Sequence, residues 1–376
     1  MFNVILNTYK NKPEKTAFSV QLKTVFYKRH SLKGFFALNK CIDKLVCAVL
    51  KNKMPRTRSP RAGSMQFWPR ARSSTETARI RHWPSNKEAK LLGFAGYKVG
   101  MSHVMITDNR QTSLTKGTEI FCPTTVIECP PLQAISIRFY KKFRDDSRLV
   151  SELYANSLDK ELGRRINLPV KKGKEATDFD FVRLMCATQP KLTGFGKKRP
   201  EVFEVALGGN KEQQLAYAKE KLGKEISVAE VFKEGQQLDI HSVTRGRGFQ
   251  GPVRRFGVTL RHHKSEKSRR NPGSLGAWRA QGHLMWRTAH AGKMGYHLRT
   301  EYNKWVLKIG NKAEEVNVKG GFLHYGLVKN SYILVKGSLG GAQKRLIRLT
   351  EAIKPKKGVP SAPQITYTSL ESKQGR

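Results

Sequence analysis

Acidic side chains are scarce in this chain: 29 Asp and Glu stand against 71 Lys and Arg over 376 residues, a formal net charge of +42. A free protein with that surplus repels itself, so the composition implies a polyanionic partner that neutralises it. Cysteine is also sparse. Cys41, Cys47, Cys122, Cys129 and Cys186 are odd in number, scattered and without a CxxC pair, which excludes a disulfide framework and a zinc ribbon and predicts reduced thiols in a cytosolic protein. Long apolar runs are missing. The longest, LVCAVL at 45 to 50, is far short of the roughly 18 residues that span a bilayer, so a membrane partner is not expected. No internal repeat is evident.

What is present is enough apolar material, 38% of residues, to build a core, arranged in stretches of different texture. Residues 1–53 hold ten Lys and one Arg, whereas Arg becomes abundant from Arg56 onward. The shift at Met54 predicts that Met54 is the biological start and residues 1–53 an upstream misreading or poorly ordered tail, the rival being a mitochondrial presequence, which would favour Arg. An intact mass of the native protein that includes residues 1–53 would overturn this.

Residues 54–90 open on a Pro, Arg and Ser tract with seven Arg, namely Arg56, Arg58, Arg61, Arg70, Arg72, Arg79 and Arg81, and one acid, Glu76. Such a tract suits an extended arm lying on phosphate, ordered when its charge is neutralised. From 91 to 144 short apolar runs alternate with turn residues (LLGFAGYKVG, SHVMIT, TTVIEC, QAISIRFY), which predicts strands. From 145 to 235 the spacing turns helical. Ser147 is placed to cap a helix through Leu149, Val150, Leu153, Tyr154, Leu158, Leu162 and Ile166; a second helix follows Asn210; and Ser227 with Glu230 forms a capping box for a third, stopped at Gly235. Strand texture returns at 236–243 and over 305–353, in KWVLKIG, GGFLHYGLV, SYILVKGS and KRLIRLTEAI, before a polar tail at 354–376 that reads as mobile. The expected fold is therefore mainly β with α insertions, two distant sets of strands closing one β-barrel.

Between these sets lies the basic segment 244–304, with 14 Lys and Arg against Glu266 and Glu301. Its aromatics, Phe249, Phe256, Trp278, Trp286 and Tyr296, sit singly among Arg, His and Gly, with neither the period of a strand nor that of a helix. Cations interleaved with flat rings suit RNA, which supplies phosphates and bases to stack on. The candidate contacts are Arg245, Arg247, Arg254, Arg255, Arg261, Lys264, Lys267, Arg269, Arg270, Trp278, Arg279, Trp286, Arg287, Lys293, His297 and Arg299. Within RGRGFQG, Gly246, Gly248 and Gly251 spell GxGxxG, but Pro252 and a run of Arg stand where a dinucleotide fingerprint needs its helix, so the glycines are read as letting backbone approach RNA. His283, His290 and His297 recur every seven residues, yet Gly282, Gly292 and Gly295 break any single helix that would present them to a metal. No nucleophile has a recognisable base, and no cofactor, small-molecule substrate or catalytic residue is expected. Trp278, on the Gly-rich loop GSLGAWRA, fits either a stacking anchor or a plug in the protein's own core, and its cationic flanks favour the anchor. Charge alone leaves a DNA or chromatin protein open, and an RNA-acting enzyme is the third class.

The ordered series PRAGSMQFWPRAR, RIRHWP, LLGFAGYKVGMSHV, VTRGRGFQG, GSLGAW, HAGKMGYH followed by RTEYNK, KGGFLHYG, VKGSLGG and KRLIRL resembles the L-three family of large-subunit ribosomal proteins, in its archaeal and eukaryotic form, from about Met54 to the C-terminal region. The resemblance implies a translation-protein-type β-barrel with a helical insertion, an extended N-terminal arm and a long basic finger penetrating ribosomal RNA toward the peptidyl transferase centre, with Trp278 at its tip. It further implies a role in early subunit assembly and in shaping the region where aminoacyl-tRNA arrives, with ribosomal RNA and neighbouring ribosomal proteins as partners. The family often has His-Pro or Asn-Pro after the tip tryptophan; this chain has Arg279-Ala280-Gln281-Gly282.

Overall fold

The computed structural model describes residues 63–144, 146–169, 173–264, 267–276, 282, 284–358 and 361–374. The readings of residues 1–53 and of Arg56, Arg58, Arg61, Trp278 and Arg279 lie outside the described residues.

The strand runs 91–100 and 102–107 form a single strand, β1 (Gly93–Thr107). The glycine between them is a close approach rather than a break: a Cβ on Gly100 would lie 2.9 Å from the Phe322 ring. β1 bulges between Lys98 and Gly100 and pairs with β2 (Glu119–Glu128). β3 (Leu132–Phe143), β4 (Asp146–Tyr154), β5 (Phe181–Ala187), β6 (Val202–Ala206) and β7 (Glu225–Ile226) come next, with helices α1 (Lys211–Lys221) and α2 (Val228–Val231). β8 (Gln237–Val243) leads into the basic segment, which holds β9 (Phe249–Gln250), α3 (Pro252–Phe256) and β10 (Gly292–Lys293). β11 (Leu298–Gly310), β12 (Tyr332–Lys336), β13 (Leu346–Glu351) and β14 (Ile365–Thr368) complete the order.

Two sheets carry the molecule. The first runs β13-β8-β11-β12-β2-β1-β14, and the further pairing of β13 with β1, Gly93 opposite Thr350 through Tyr97 opposite Leu346, joins its ends into a ring of six antiparallel strands. The two strand sets, separated by more than a hundred residues, thus meet as the sequence pattern predicts. Closing the ring removes the open edges that would otherwise pair with other chains. Fully buried Phe94, Tyr97, Ile127 and Tyr332 belong to its core, each such side chain contributing roughly 1.5–3 kcal/mol by leaving water. The second sheet runs β4-β3-β5-β6 with β7 on β3, and residues of both sheets share one core cluster.

Three expectations are corrected. The helix from Ser147 does not form: those residues make β4, antiparallel to β3 with Glu152 opposite Arg138. Glu152 pairs with that guanidinium at 3.1 Å and also accepts from Ser136, a cross-strand partnership invisible to a local period. The helices expected after Asn210 and Ser227 do form, the latter with Glu230 accepting from the Ser227 backbone at 3.2 Å. The stretch 320–328 is a chain of turns rather than a strand, packing Phe322, Tyr325 and Val328 inward over the buried Glu128. The C-terminal residues are not a free tail: β14 pairs with the end of β1, and Ser102 donates to the carbonyl of buried Ser369 at 2.9 Å.

Candidate nucleic-acid interface

The basic segment leaves the ring as a ribbon that continues β8 and β11 outward. The Thr244 amide donates to the His297 carbonyl at 2.9 Å and Arg247 to Met294 at 2.9 Å, until β9 and β10 pair Phe249 with Lys293. At its neck Gly295 adopts φ +76°, and a Cβ there would sit 2.0 Å from the Arg245 carbonyl oxygen, so only glycine lets the two ribbon strands approach this closely. Tyr296 beside it has φ +56° and lies between two guanidinium groups, Arg72 at 5.0 Å and Arg345 at 4.9 Å. Arg345 also donates to the Val243 and Thr244 carbonyls, tying the base of the ribbon to β13.

A helix opens after RGRGFQG, which corrects the expectation that Pro252 forbids one. Pro252 occupies its first turn, where a missing N–H costs nothing, and Gly257 at φ +72° stops it after five residues. That single short helix follows a two-residue strand, not the long strand of a dinucleotide fold.

The arm does not stand apart from the body. Trp68 packs on Phe256 at 5.7 Å and on Trp286 at 5.5 Å between ring centroids, and Arg70 lies 4.2 Å above Phe256 while donating to the Arg255 carbonyl at 2.8 Å. The Ser73 amide donates to the Tyr296 carbonyl, and Phe67 sits under Arg299 at 5.0 Å. Together Met65, Trp68, Phe256, Trp286 and His290 line a cavity of about 670 Å³ where arm meets ribbon.

The predicted contacts fall into two classes. Arg70, Arg255, His297 and Arg299 brace the protein internally. Arg255 donates to the His290 and Lys293 carbonyls; burial pushes its guanidinium and that of Arg299 below the usual range. His297, predicted as an RNA contact, is buried: its Nδ1 donates to the Ala71 carbonyl at 2.7 Å and its Nε2 accepts from the Gly295 amide at 3.1 Å. This pair of bonds demands the neutral ring, and desolvation with the nearby arginines lowers its pKa accordingly. Arg72, Arg79, Arg81, Arg245, Arg247, Arg254, Arg261, Lys264, Lys267, Arg269, Arg270, Trp286, Arg287 and Lys293 face solvent. Among the described residues, Arg245, Arg247, Arg254, Arg261, Lys264, Lys267, Arg269 and Arg270 have no carboxylate within ion-pair distance.

Sequence reading passed over cations in the second sheet, Arg138 and Arg183, and over Arg348 of β13. Arg348 is 5% exposed, sandwiched between Phe203 at 4.5 Å and Trp83 at 5.7 Å, and donates to the Ala78 carbonyl at 3.1 Å. Burial pushes its guanidinium down to about 10. A charged residue inside the apolar run LIRL was the available signal. Among the described residues, no three His, Cys, Asp or Glu side chains gather to hold a metal, and no helix is long and apolar enough to cross a membrane.

The family model described as "Ribosomal protein L3" matches residues 54–181 and 174–375, beginning where the composition shifts. The chain is 49% identical over 328 residues to the protein named "Large ribosomal subunit protein uL3" of Archaeoglobus fulgidus, covering 84% of this chain and 98% of that one. It is 46% identical over 337 residues to the protein of that name from Methanosphaera stadtmanae and 43% over 336 residues to that from Methanobrevibacter smithii, in each case 86% of this chain and all of the relative. With a family model spanning most of its length and relatives this similar over nearly their whole length, the chain belongs to the ribosomal protein L3 family.

Proposed function

We propose that this chain is a structural constituent of the large ribosomal subunit in the cytoplasm, and that it binds large-subunit ribosomal RNA through the arm and the basic ribbon. Its family is a structural component of the ribosome, not an enzyme. The observation that carries the RNA reading is the ribbon's charge: nine cations from Arg245 to Arg270 have no carboxylate partner among the described residues, on a neck braced by the arm. Neutralising phosphates there releases condensed counterions, so binding should weaken steeply as salt rises, by roughly 0.7 to 0.9 log units per log unit of salt for each phosphate. The ring supplies a rigid base and the ribbon reaches into RNA; Trp278, outside the described residues, is the stacking residue that the family resemblance implies. This geometry suits early assembly, when a protein that spans separate RNA segments holds them together, and a place near the peptidyl transferase centre where aminoacyl-tRNA arrives. Competition among structured large-subunit RNA, unrelated RNA and duplex DNA at fixed, near-physiological salt tests the reading. Preference for the ribosomal RNA is expected; equal or stronger binding to duplex DNA would overturn it.

A further inference from the structure

Residues 75–83 of the arm and the second sheet enclose an open cleft of about 770 Å³. That volume lies in the range of small-ligand sites, about 300–1,000 Å³. Six arginines line it: Arg79, Arg81, Arg138, Arg165, Arg183 and Arg348. The carboxylate on its wall is Glu204, which pairs with Arg138 and, at 3.2 Å, with Arg183. The exposed guanidinium groups of Arg79, Arg81 and Arg165 have no hydrogen-bond or ion-pair partner among the described residues.

Arg348 and Arg183 brace the wall of the cleft, Arg348 through the Ala78 carbonyl at 3.1 Å and Arg183 through Glu204 at 3.2 Å, which leaves Arg79, Arg81 and Arg165 as the cations available to a ligand. Of the rings lining the cleft, Tyr140 and Phe203 are buried beneath Arg183 and Arg348, and the half-buried Trp83 indole is the ring beside the exposed cations. Phosphate and a planar ring on one small molecule describe a nucleotide.

We propose that this cleft takes one unstacked nucleotide of an RNA strand, its phosphate held by Arg79, Arg81 and Arg165 and its base set against the Trp83 indole. The inference rests on the RNA-binding reading above and deepens it, by giving the arm's Arg79 and Arg81 a shared site with Arg165 of the body. Arginine suits the task because its planar fork matches phosphate oxygens in pairs. A free nucleotide offers the same chemistry, so the test must separate the two sources.

The full chain is compared with two triple variants, R79Q/R81Q/R165Q in the cleft and R245Q/R247Q/R254Q in the ribbon. All six residues are exposed, so both variants should fold, and unchanged melting curves establish this. The probes are a short single-stranded RNA carrying 4-thiouridine, the same sequence as a duplex, and AMP. The cleft variant should lose about tenfold in affinity for the single strand. Its salt slope should fall by about 0.7, as expected for one lost phosphate contact on a single strand. Photocrosslinks should map to the peptide bearing Trp83 in the parent chain and vanish in the variant. If the ribbon variant weakens while the cleft variant binds and crosslinks like the parent, the cleft proposal fails and the RNA reading stands. If neither variant weakens, the RNA reading fails and takes the cleft with it. Saturable AMP binding that single-stranded RNA does not compete away assigns the cleft to free nucleotides and overturns the proposal.

Discussion

The second sheet and the ribbon handle positive charge in opposite ways. In the sheet the cations find partners: Arg138 pairs with Glu152 and Glu204, Arg183 with Glu204, and Lys141 with Asp178. In the ribbon Arg245 through Arg270 find none among the described residues. Residues 244–304 carry +12 of the net +42, from 14 cations against two acids. A paired cation contributes to the fold and is lost to a partner; an unpaired one costs the fold little and remains available to phosphate. Substitutions in the body should accordingly read out as stability and substitutions along the ribbon as binding.

The largest expected effect lies in the ring. Glu128 is fully buried and accepts from the Tyr325 hydroxyl, from the Lys329 and Asn330 amides at 2.9 and 3.0 Å, and from the Asn330 side chain at 2.8 Å. Its carboxylate and burial together push the Tyr325 phenol well above its ordinary range. Glu128→Ala strands four donors at once, so a loss of about 4 kcal/mol or more is expected in denaturant unfolding. A loss under about 1 kcal/mol would show that the turns at 320–328 do not depend on this acceptor.

Next comes the neck, where the two regions join. Gly295→Ala must place a Cβ against the Arg245 carbonyl at a left-handed φ, and that oxygen belongs to backbone, not to a flexible side chain. Left-handed backbone alone costs roughly 1–2 kcal/mol, and the clash adds to it. The comparison is sharpened if RNA affinity falls more than global stability does, because the displaced strands carry Arg245 and Arg247. Equal binding by the variant would mean that ribbon geometry is irrelevant to the contact.

His241 gives the body its own pH dependence. His241 is buried between β13 and β11, its nitrogens bonded to Thr300 at 3.0 Å and Thr350 at 3.3 Å. Desolvation, then the Arg348 charge, lowers its pKa to about 4. A folded pKa below the unfolded value of about 6.5 means that the neutral ring stabilises the fold. Its contribution is complete above pH 6.5 and is lost as pH falls from there to about 4, at most roughly 3 kcal/mol. His241→Gln should flatten that part of the stability profile, which unfolding at stepped pH would measure.

Much of this division was legible in the chain before any coordinates. Strand runs flanked by turn residues gave the ring, because each buries one apolar face and alternates locally. The cation-rich segment 244–304 stood out because no core could bury it. What could not be read were features made by distant partners. β4 carries apolar spacing that also suits a helix, and only Arg138 across the hairpin decides for a strand. Arg70, Arg255, Arg299 and His297 look like surface cations in sequence, and only the folded arm turns them into braces. Arg348 sits in an apolar run whose pattern says core, and its rings come from residues 83 and 203.

The smallest expected effect on the fold belongs to the ribbon's end. Trp278 lies outside the described residues, in a stretch of sequence rich in glycine that offers little with which to build a core. If the indole is a stacking anchor for RNA, Trp278→Ala leaves the melting temperature of the isolated protein within about a degree. Base stacking on an aromatic ring contributes about 1–3 kcal/mol, so the same change should weaken binding to large-subunit RNA by roughly 5- to 150-fold. If the indole is instead a plug in the protein's own core, the order reverses: the melt drops by many degrees, as expected for losing a buried aromatic at about 3–5 kcal/mol. Trp286→Ala is the internal control. Its ring packs on Trp68 while remaining 58% exposed, so that substitution should move both readouts modestly, placing it between body and ribbon.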